Sequence, residues 1–94
     1  MLDVKIGIDG EIRLEGRFDA AQVQTARAVF DTITTSARVD FSALEYISSA
    51  GLEVLLATQR RLMGARHALT LVHLNPHIRN VFRYAGFEHI FKIE

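Results

Sequence analysis

Residues 39–52 read Val39-Asp40-Phe41-Ser42-Ala43-Leu44-Glu45-Tyr46-Ile47-Ser48-Ser49-Ala50-Gly51-Leu52, and a change of period inside this stretch decides the fold. Val39 and Phe41 alternate with polar neighbours, as strand residues do. Leu44 and Ile47 fall in an irregular run expected to be a loop. From Ser49 onward the apolar residues take helical spacing: Leu52, Leu55, Leu56, Leu62 and Met63 share a face, with Glu53, Gln59, Arg60 and Arg61 left to solvent. Gly64 fits the stop. Strand, loop and helix start in this order form the first part of a β–α–β crossover.

Upstream, Val4, Ile6 and Ile8 alternate with Lys5 and Gly7, which predicts a half-buried strand. Asp9-Gly10 predicts a two-residue type I′ turn into a second strand carrying Ile12 and Leu14 on one face. Gly16-Arg17-Phe18 breaks that pattern. Asp19 is then the expected N-cap of a first helix, with Gln22 placed to close a capping box. Val23, Ala26, Phe30 and Ile33 give that helix an apolar face, and Thr34-Thr35-Ser36 ends it.

Downstream, residues 68–74 are too continuously apolar for an exposed edge and predict a buried strand. Asn75-Pro76 is a cap followed by a first-turn proline. Ile78, Val81, Phe82 and Ala85 form the apolar face of a third helix, closed by Gly86-Phe87 as a left-handed cap. Phe91 and Ile93 finish with a short strand. The predicted order is ββαβαβαβ: an α/β fold whose mixed β-sheet, an opening hairpin followed by mostly parallel strands, is packed by three or so α-helices.

Composition narrows the function classes. With 94 residues, the chain is expected to be one domain, 1–94, with a stability of about 5–10 kcal/mol and little core in which to hide a deep active site. Eleven Lys and Arg balance 11 Asp and Glu, so no net field draws nucleic acid or an anionic membrane. The absence of Cys excludes disulfides and thiol chemistry. No apolar run reaches the ~18 residues of a membrane span, and the first residues lack a signal-peptide layout. A cytoplasmic location is expected. His67, His73, His77 and His89 lack helical metal-ligand spacing, and no phosphate loop, dinucleotide glycine motif or nucleophile elbow is present. Neither a cofactor nor a metal is expected.

The chemistry that remains lies at the helix start. First-turn N–H groups are unpartnered and carry partial positive charge. A phosphoryl group on a serine there is tolerated by the fold, yet adds about −1.5 to −2 charge to the surrounding surface. Ser48 and Ser49 are equally at home as N-caps, a purely structural role. Asp19 and Asp40 are readable as a cap and as a strand-end carboxylate serving loop N–H groups. Gly51 is readable as a packing glycine or as a place for close approach.

The segment from Asp40-Phe41-Ser42 through Tyr46-Ile47-Ser48-Ser49-Ala50-Gly51-Leu52 resembles the STAS domain family of anti-sigma-factor antagonists. Gly16-Arg17-Phe18-Asp19 and Asn75-Pro76 through Ala85-Gly86-Phe87 fit it as well, so the resemblance runs from about Val4 to Ile93. It implies a non-enzymatic, protein-binding switch that docks onto an anti-sigma factor with serine-kinase activity and is released when that partner, using ATP, phosphorylates a serine. A serine phosphatase reverses the step. Aligned on Gly51-Leu52, the acceptor falls on Ser49, with Ser48 as the alternative. Where the family often has Asp before and Ser or Thr after the acceptor, this chain has Ser48 and Ala50. The implied partner surface includes Asp19, Asp40, Tyr46, Ser48, Ser49, Ala50 and Gly51. The alternative is a constitutive STAS scaffold subunit of a signalling assembly or an ABC-type lipid transport complex, without phosphorylation.

Overall fold

A computed structural model describes residues 1–94 and has the element order ββαβαβαβ. The strands are β1 (Leu2–Ile6), β2 (Ile12–Phe18), β3 (Ala37–Ile47), β4 (Leu69–Val72) and β5 (Lys92–Ile93). The helices are α1 (Val23–Phe30), α2 (Ser49–Gly64) and α3 (Pro76–Tyr84). The strands lie in chain order in one sheet, with β1 antiparallel to β2 and every other neighbour parallel. No helix is long and apolar enough to cross a membrane.

One face of the sheet carries the core. Ile12, Leu14, Phe18, Val39, Phe41, Leu69 and Leu71 are buried there against Ala26, Phe30, Leu55, Leu62, Ile78 and Phe82 of the helices. Phe41, Phe82 and Phe91 continue it as edge-on aromatic contacts with centroids 5.9 and 5.7 Å apart. The opposite face is polar, as the strand period requires when only one side is covered. Lys5 and Arg13 both reach Glu15, and Arg38 joins Glu11 to Glu94. Residues 68–74 give the expected buried strand in shorter form: β4 keeps only Leu69–Val72, with Leu69, Leu71 and Val72 buried and Thr70 half-buried.

Several local expectations change under tertiary context. The opening turn is not type I′, because of its residues only Gly10 has a positive φ, 84°. Gly10 N–H donates to the Gly7 carbonyl and Gly7 N–H to the Glu11 carbonyl, a wider loop in which a single left-handed residue suffices. Ile8 consequently leaves the strand and is fully exposed. Gly16-Arg17-Phe18 does not end β2; the strand absorbs the break as a register shift against β3 and runs on to the buried Phe18.

Asp19 caps a 3₁₀ turn, Ala20–Gln22, by accepting from Ala21 N–H at 3.1 Å, and α1 follows. Gln22 closes no capping box, since its side-chain Oε1 accepts from Leu2 N–H instead. In α2, Met63 is exposed while Gln59 is buried. Gln59 accepts from Leu69 N–H at 2.7 Å and donates to the Ile90 carbonyl at 2.9 Å, tying the helix to β4 and to the approach to β5. Arg61 is not simply solvated either: its guanidinium donates to the Phe30 and Ile33 carbonyls at the end of α1. Gly64 is the last helical residue, and the left-handed position falls on Arg66, φ 65°.

The third helix follows the expectation closely. Asn75 Oδ1 accepts from Ile78 N–H at 2.8 Å, and Pro76 fills the first turn. Gly86, at φ 77°, lets Phe87 N–H return to the Phe82 carbonyl at 2.9 Å. Ala85 lies outside the buried face.

Candidate functional site

The loop expected between Phe41 and Ser49 does not exist. β3 extends to Ile47 because its second half keeps pairing with β2 after β4 has ended at Val72. Ile47 is the partner of Phe18, and one extended residue, Ser48 (φ −88°, ψ 171°), joins the strand to α2. Ser48 N–H donates to the Phe18 carbonyl at 2.9 Å, so the last rung of the β2–β3 ladder also anchors the helix start.

This geometry gives the two serines different work. Ser48 Oγ accepts from Gly51 N–H at 3.2 Å, and the Ser48 carbonyl receives Leu52 N–H at 3.0 Å. Ser48 is thus the cap, half-buried. Ser49 is the first helical residue, exposed and outside the cap. Its hydroxyl lies in the partial positive charge of the first turn. Glu53 is one turn further along the same exposed side.

Gly51 is buried. A Cβ there would lie 2.9 Å from Ile47 Cγ1 and 3.0 Å from the Phe18 ring, so only a bare backbone lets the helix start rest on the strand ends. Its role is close packing, which sets the height at which Ser49 and Ala50 stand above the sheet.

The neighbours gather by strand pairing. Asp19 follows Phe18 directly and is half-buried next to the helix start, its carboxylate engaged with Ala21 N–H. Arg17 and Tyr46 are cross-strand partners, and the Arg17 guanidinium lies 4.4 Å from the Tyr46 ring centroid. Nothing in the linear sequence signals that stack, because it requires the shifted register of β2 against β3. Asp19, Tyr46, Ser48, Ser49, Ala50 and Gly51 therefore share one end of the sheet.

Asp40 does not join them. It is seven residues before Ile47 along β3, roughly 20 Å at strand rise, opposite Arg13 and Val72 on the polar face. Burial by itself would raise its carboxyl. The Ser42 N–H (2.8 Å) and hydroxyl, with His73 and Arg13 nearby, outweigh that and hold it below the ordinary carboxylate value.

No cavity opens at the helix start. The larger concavity, about 480 Å³, is at the opposite end of the sheet, between the β1–β2 turn and the α1–β3 connection, lined by Glu11, Thr32, Thr34, Ser36 and Arg38 among others. A smaller cleft of about 240 Å³ runs between α1 and α2. No three His, Asp or Glu side chains converge to hold a metal ion. The helix start thus carries an exposed hydroxyl without an enclosed pocket beside it.

Comparison with known proteins bears on the same features. The family described as Mlab, STAS domain, matches residues 4–93. A Bordetella bronchiseptica protein with the provisional name anti-sigma factor antagonist BtrV is 44% identical over 55 residues, covering 58% of this chain and 47% of the relative. The match thus spans about half the length of that relative. Among solved structures, an anti-sigma factor antagonist from Mycobacterium paratuberculosis superposes with a TM-score of 0.82 at 22% identity, covering 99% of this chain and 83% of the other. The Bacillus cell fate determinant SpoIIAA in its phosphorylated form gives 0.71 at 20% identity, covering 100% and 91%. At these identities the structural likeness speaks for the fold.

Proposed function

The chain belongs to the STAS domain family, and from that premise we propose that residues 1–94 act as an anti-sigma-factor antagonist, a binding switch rather than an enzyme. Its unphosphorylated form docks the end of the sheet formed by Arg17–Ala20 and Tyr46–Gly51, with the exposed side of α2, onto an anti-sigma factor that is itself a serine kinase. The name of the Bordetella relative supports an anti-sigma factor as the partner class. Phosphorylation at Ser49 ends the contact.

The observation that carries this reading is the division of labour between the serines. Ser48 alone serves the helix cap, so Ser49 is spared for modification without loss of fold. In the transfer, Ser49 Oγ bonds to the γ-phosphorus of ATP held by the partner. The bond to the ADP oxygen breaks, and the hydroxyl proton passes to a base of the kinase. A phosphatase then hydrolyses the ester: water adds to phosphorus, the bond to Ser49 Oγ breaks, Oγ regains a proton and inorganic phosphate leaves. The added dianion sits at a helix start that tolerates it within the domain, but faces the partner as an unpaired charge. Abolishing a micromolar complex requires only about 3–4 kcal/mol, a weakening of roughly 100- to 1,000-fold.

Intact-mass measurement and peptide mapping of the protein incubated with host lysate and ATP test the proposal. One phosphoryl group on Ser49, absent in Ser49→Ala, is the expected result. A phosphate on Ser48 moves the acceptor by one residue, and no phosphate under any growth condition removes the switch. One feature favours a second reading, a constitutive scaffold subunit: Ser48 and Ala50 stand where the resemblance leads one to expect Asp and Ser or Thr around the acceptor. Under that reading Ser49→Asp leaves partner binding unchanged.

A further inference from the structure

The first strand is a free edge with an order to its charges. Arg17 N–H donates to the Met1 carbonyl and Gly7 N–H to the Glu11 carbonyl, at the two ends of the β1–β2 ladder. The odd-numbered residues of β1 therefore bond inward to β2, and Leu2, Val4 and Ile6 turn their N–H and C=O groups outward. Gln22 occupies the first of these donors, Leu2 N–H, at 3.2 Å. The outward groups of Val4 and Ile6 have no hydrogen-bond partner in the chain. At the other edge, β5 has two residues and is protected by its shortness.

The polar side chains of β1 are poorly matched within the chain. The register sets Asp3 opposite Glu15 and Lys5 opposite Arg13, like charge against like in both pairs. Lys5 escapes diagonally to Glu15 at 3.5 Å, whereas Asp3 takes part in no ion pair. Three of the five large apolar side chains left exposed on the whole surface, Met1, Ile6 and Ile8, belong to this strand and its turn.

We propose that β1 is a self-association edge that pairs antiparallel with β1 of a second copy about a two-fold axis at Val4. That register gives two Val4–Val4 hydrogen bonds, and once Gln22 swings off Leu2 N–H, Leu2 and Ile6 of the two copies exchange their outward N–H and C=O groups. It sets Ile6 beside Leu2 of the second copy on the helix face. On the polar face it sets Asp3 against Lys5 of the second copy, twice, giving Asp3 the cation it lacks. A parallel pairing in register would oppose Asp3 to Asp3 and is disfavoured. Lys5 in mid-edge repels strands that bring no carboxylate to that position. The contact is small, so the dimer is weak and transient, with a dissociation constant of tens to hundreds of micromolar, on the order expected for edges of this size.

Sedimentation velocity of the full chain from about 10 µM to about 1 mM, at low salt, tests this over the range where such a dimer forms. Wild type is expected to pass from monomer to dimer. Lys5→Asp and Asp3→Lys each oppose like charges across the two-fold and should weaken association about tenfold or more. Asp3→Lys turns the like-charge pair with Glu15 into an opposite-charge one, so its thermal midpoint holds or rises. Lys5→Asp gains Arg13 across the ladder but loses the exposed bridge to Glu15, so its midpoint changes little. The double variant Asp3→Lys, Lys5→Asp restores complementarity and should restore the dimer. Val4→Pro removes the central outward N–H without touching the β2 ladder and should leave a monomer at every concentration. A wild type monomeric at about 1 mM, or a dimer unaffected by Val4→Pro and by both single reversals, overturns the proposal. Phosphorylation at Ser49 is unaffected by either result.

Discussion

The two ends of the sheet are built on opposite terms. At the end where β2 and β3 finish, a single extended residue joins strand to helix, Gly51 is pressed against Ile47 and Phe18, and no cavity exists. At the other end, the β1–β2 turn and the α1–β3 connection leave an open concavity of about 480 Å³ lined with hydroxyls. Room and chemistry are thus separated. The roomy end holds ordinary solvated loop residues, whereas the tight end holds the exposed serine on a closely packed helix start. Cavity volume and the exposed first-turn hydroxyl therefore mark opposite ends of this small domain.

Four predictions break or sharpen that contrast. The largest effect is expected at Gly51. Gly51→Val drives methyl groups into the Phe18 ring and Ile47 and should destabilise the fold by about 3 kcal/mol in urea titration. A loss under about 1 kcal/mol would mean that the helix start is not wedged against the strands. Thr34→Ala, at the open end, should stay within about 0.5 kcal/mol.

Gln59→Ala should cost about 2–3 kcal/mol, since it leaves Leu69 N–H and the Ile90 carbonyl without their buried partner. Hydrogen exchange should show β4 and the approach to β5 losing protection first; uniform loss would contradict the tie as drawn. The serine pair is a finer test of the tight end. Ser48→Ala should lose about 1 kcal/mol as a missing cap, while Ser49→Ala should change stability by less than about 0.5 kcal/mol. Equal losses would erase the division of labour on which Ser49 as acceptor rests.

The smallest effect is electrostatic and lies in the first half of β3, toward the open end. Asp40 has a folded-state value below its ordinary one. Its stabilising contribution is therefore fully present above the unfolded value of about 3.9 and is lost as pH falls through the lower folded value. Asp40→Asn should flatten the acid limb of stability below about pH 4 and leave the slope near neutrality alone. An unchanged acid limb would show that the Ser42 hydrogen bonds do not favour the ionised form.

Features governed by neighbours in the chain were readable from the sequence. Asn75 caps α3 as expected and Asp19 caps the 3₁₀ turn that leads into α1, because a cap joins a side chain to N–H groups two or three residues away. Gly86-Phe87 closes α3 for the same reason. The alternation of Ile12 with Leu14 and the helical spacing from Leu52 onward locate the buried face, since both follow from the backbone period alone. Ser48 and Ser49 were recognised as a helix start, but which of them caps depends on the residue at which β3 stops, and that is set by its pairing with Phe18 of β2.

What the sequence determined by itself was the element order, the parallel character of the sheet after the hairpin, and the helix start as the place of interest. Tertiary structure alone decided the length of β3, the inward turn of Gln59, the Arg17–Tyr46 stack and the distance of Asp40 from Ser49. Each of these depends on a contact between residues far apart in the chain. Propensity and spacing describe only what a segment prefers in isolation, and a strand keeps growing, or a glutamine stays buried, when a distant backbone supplies the missing hydrogen bonds.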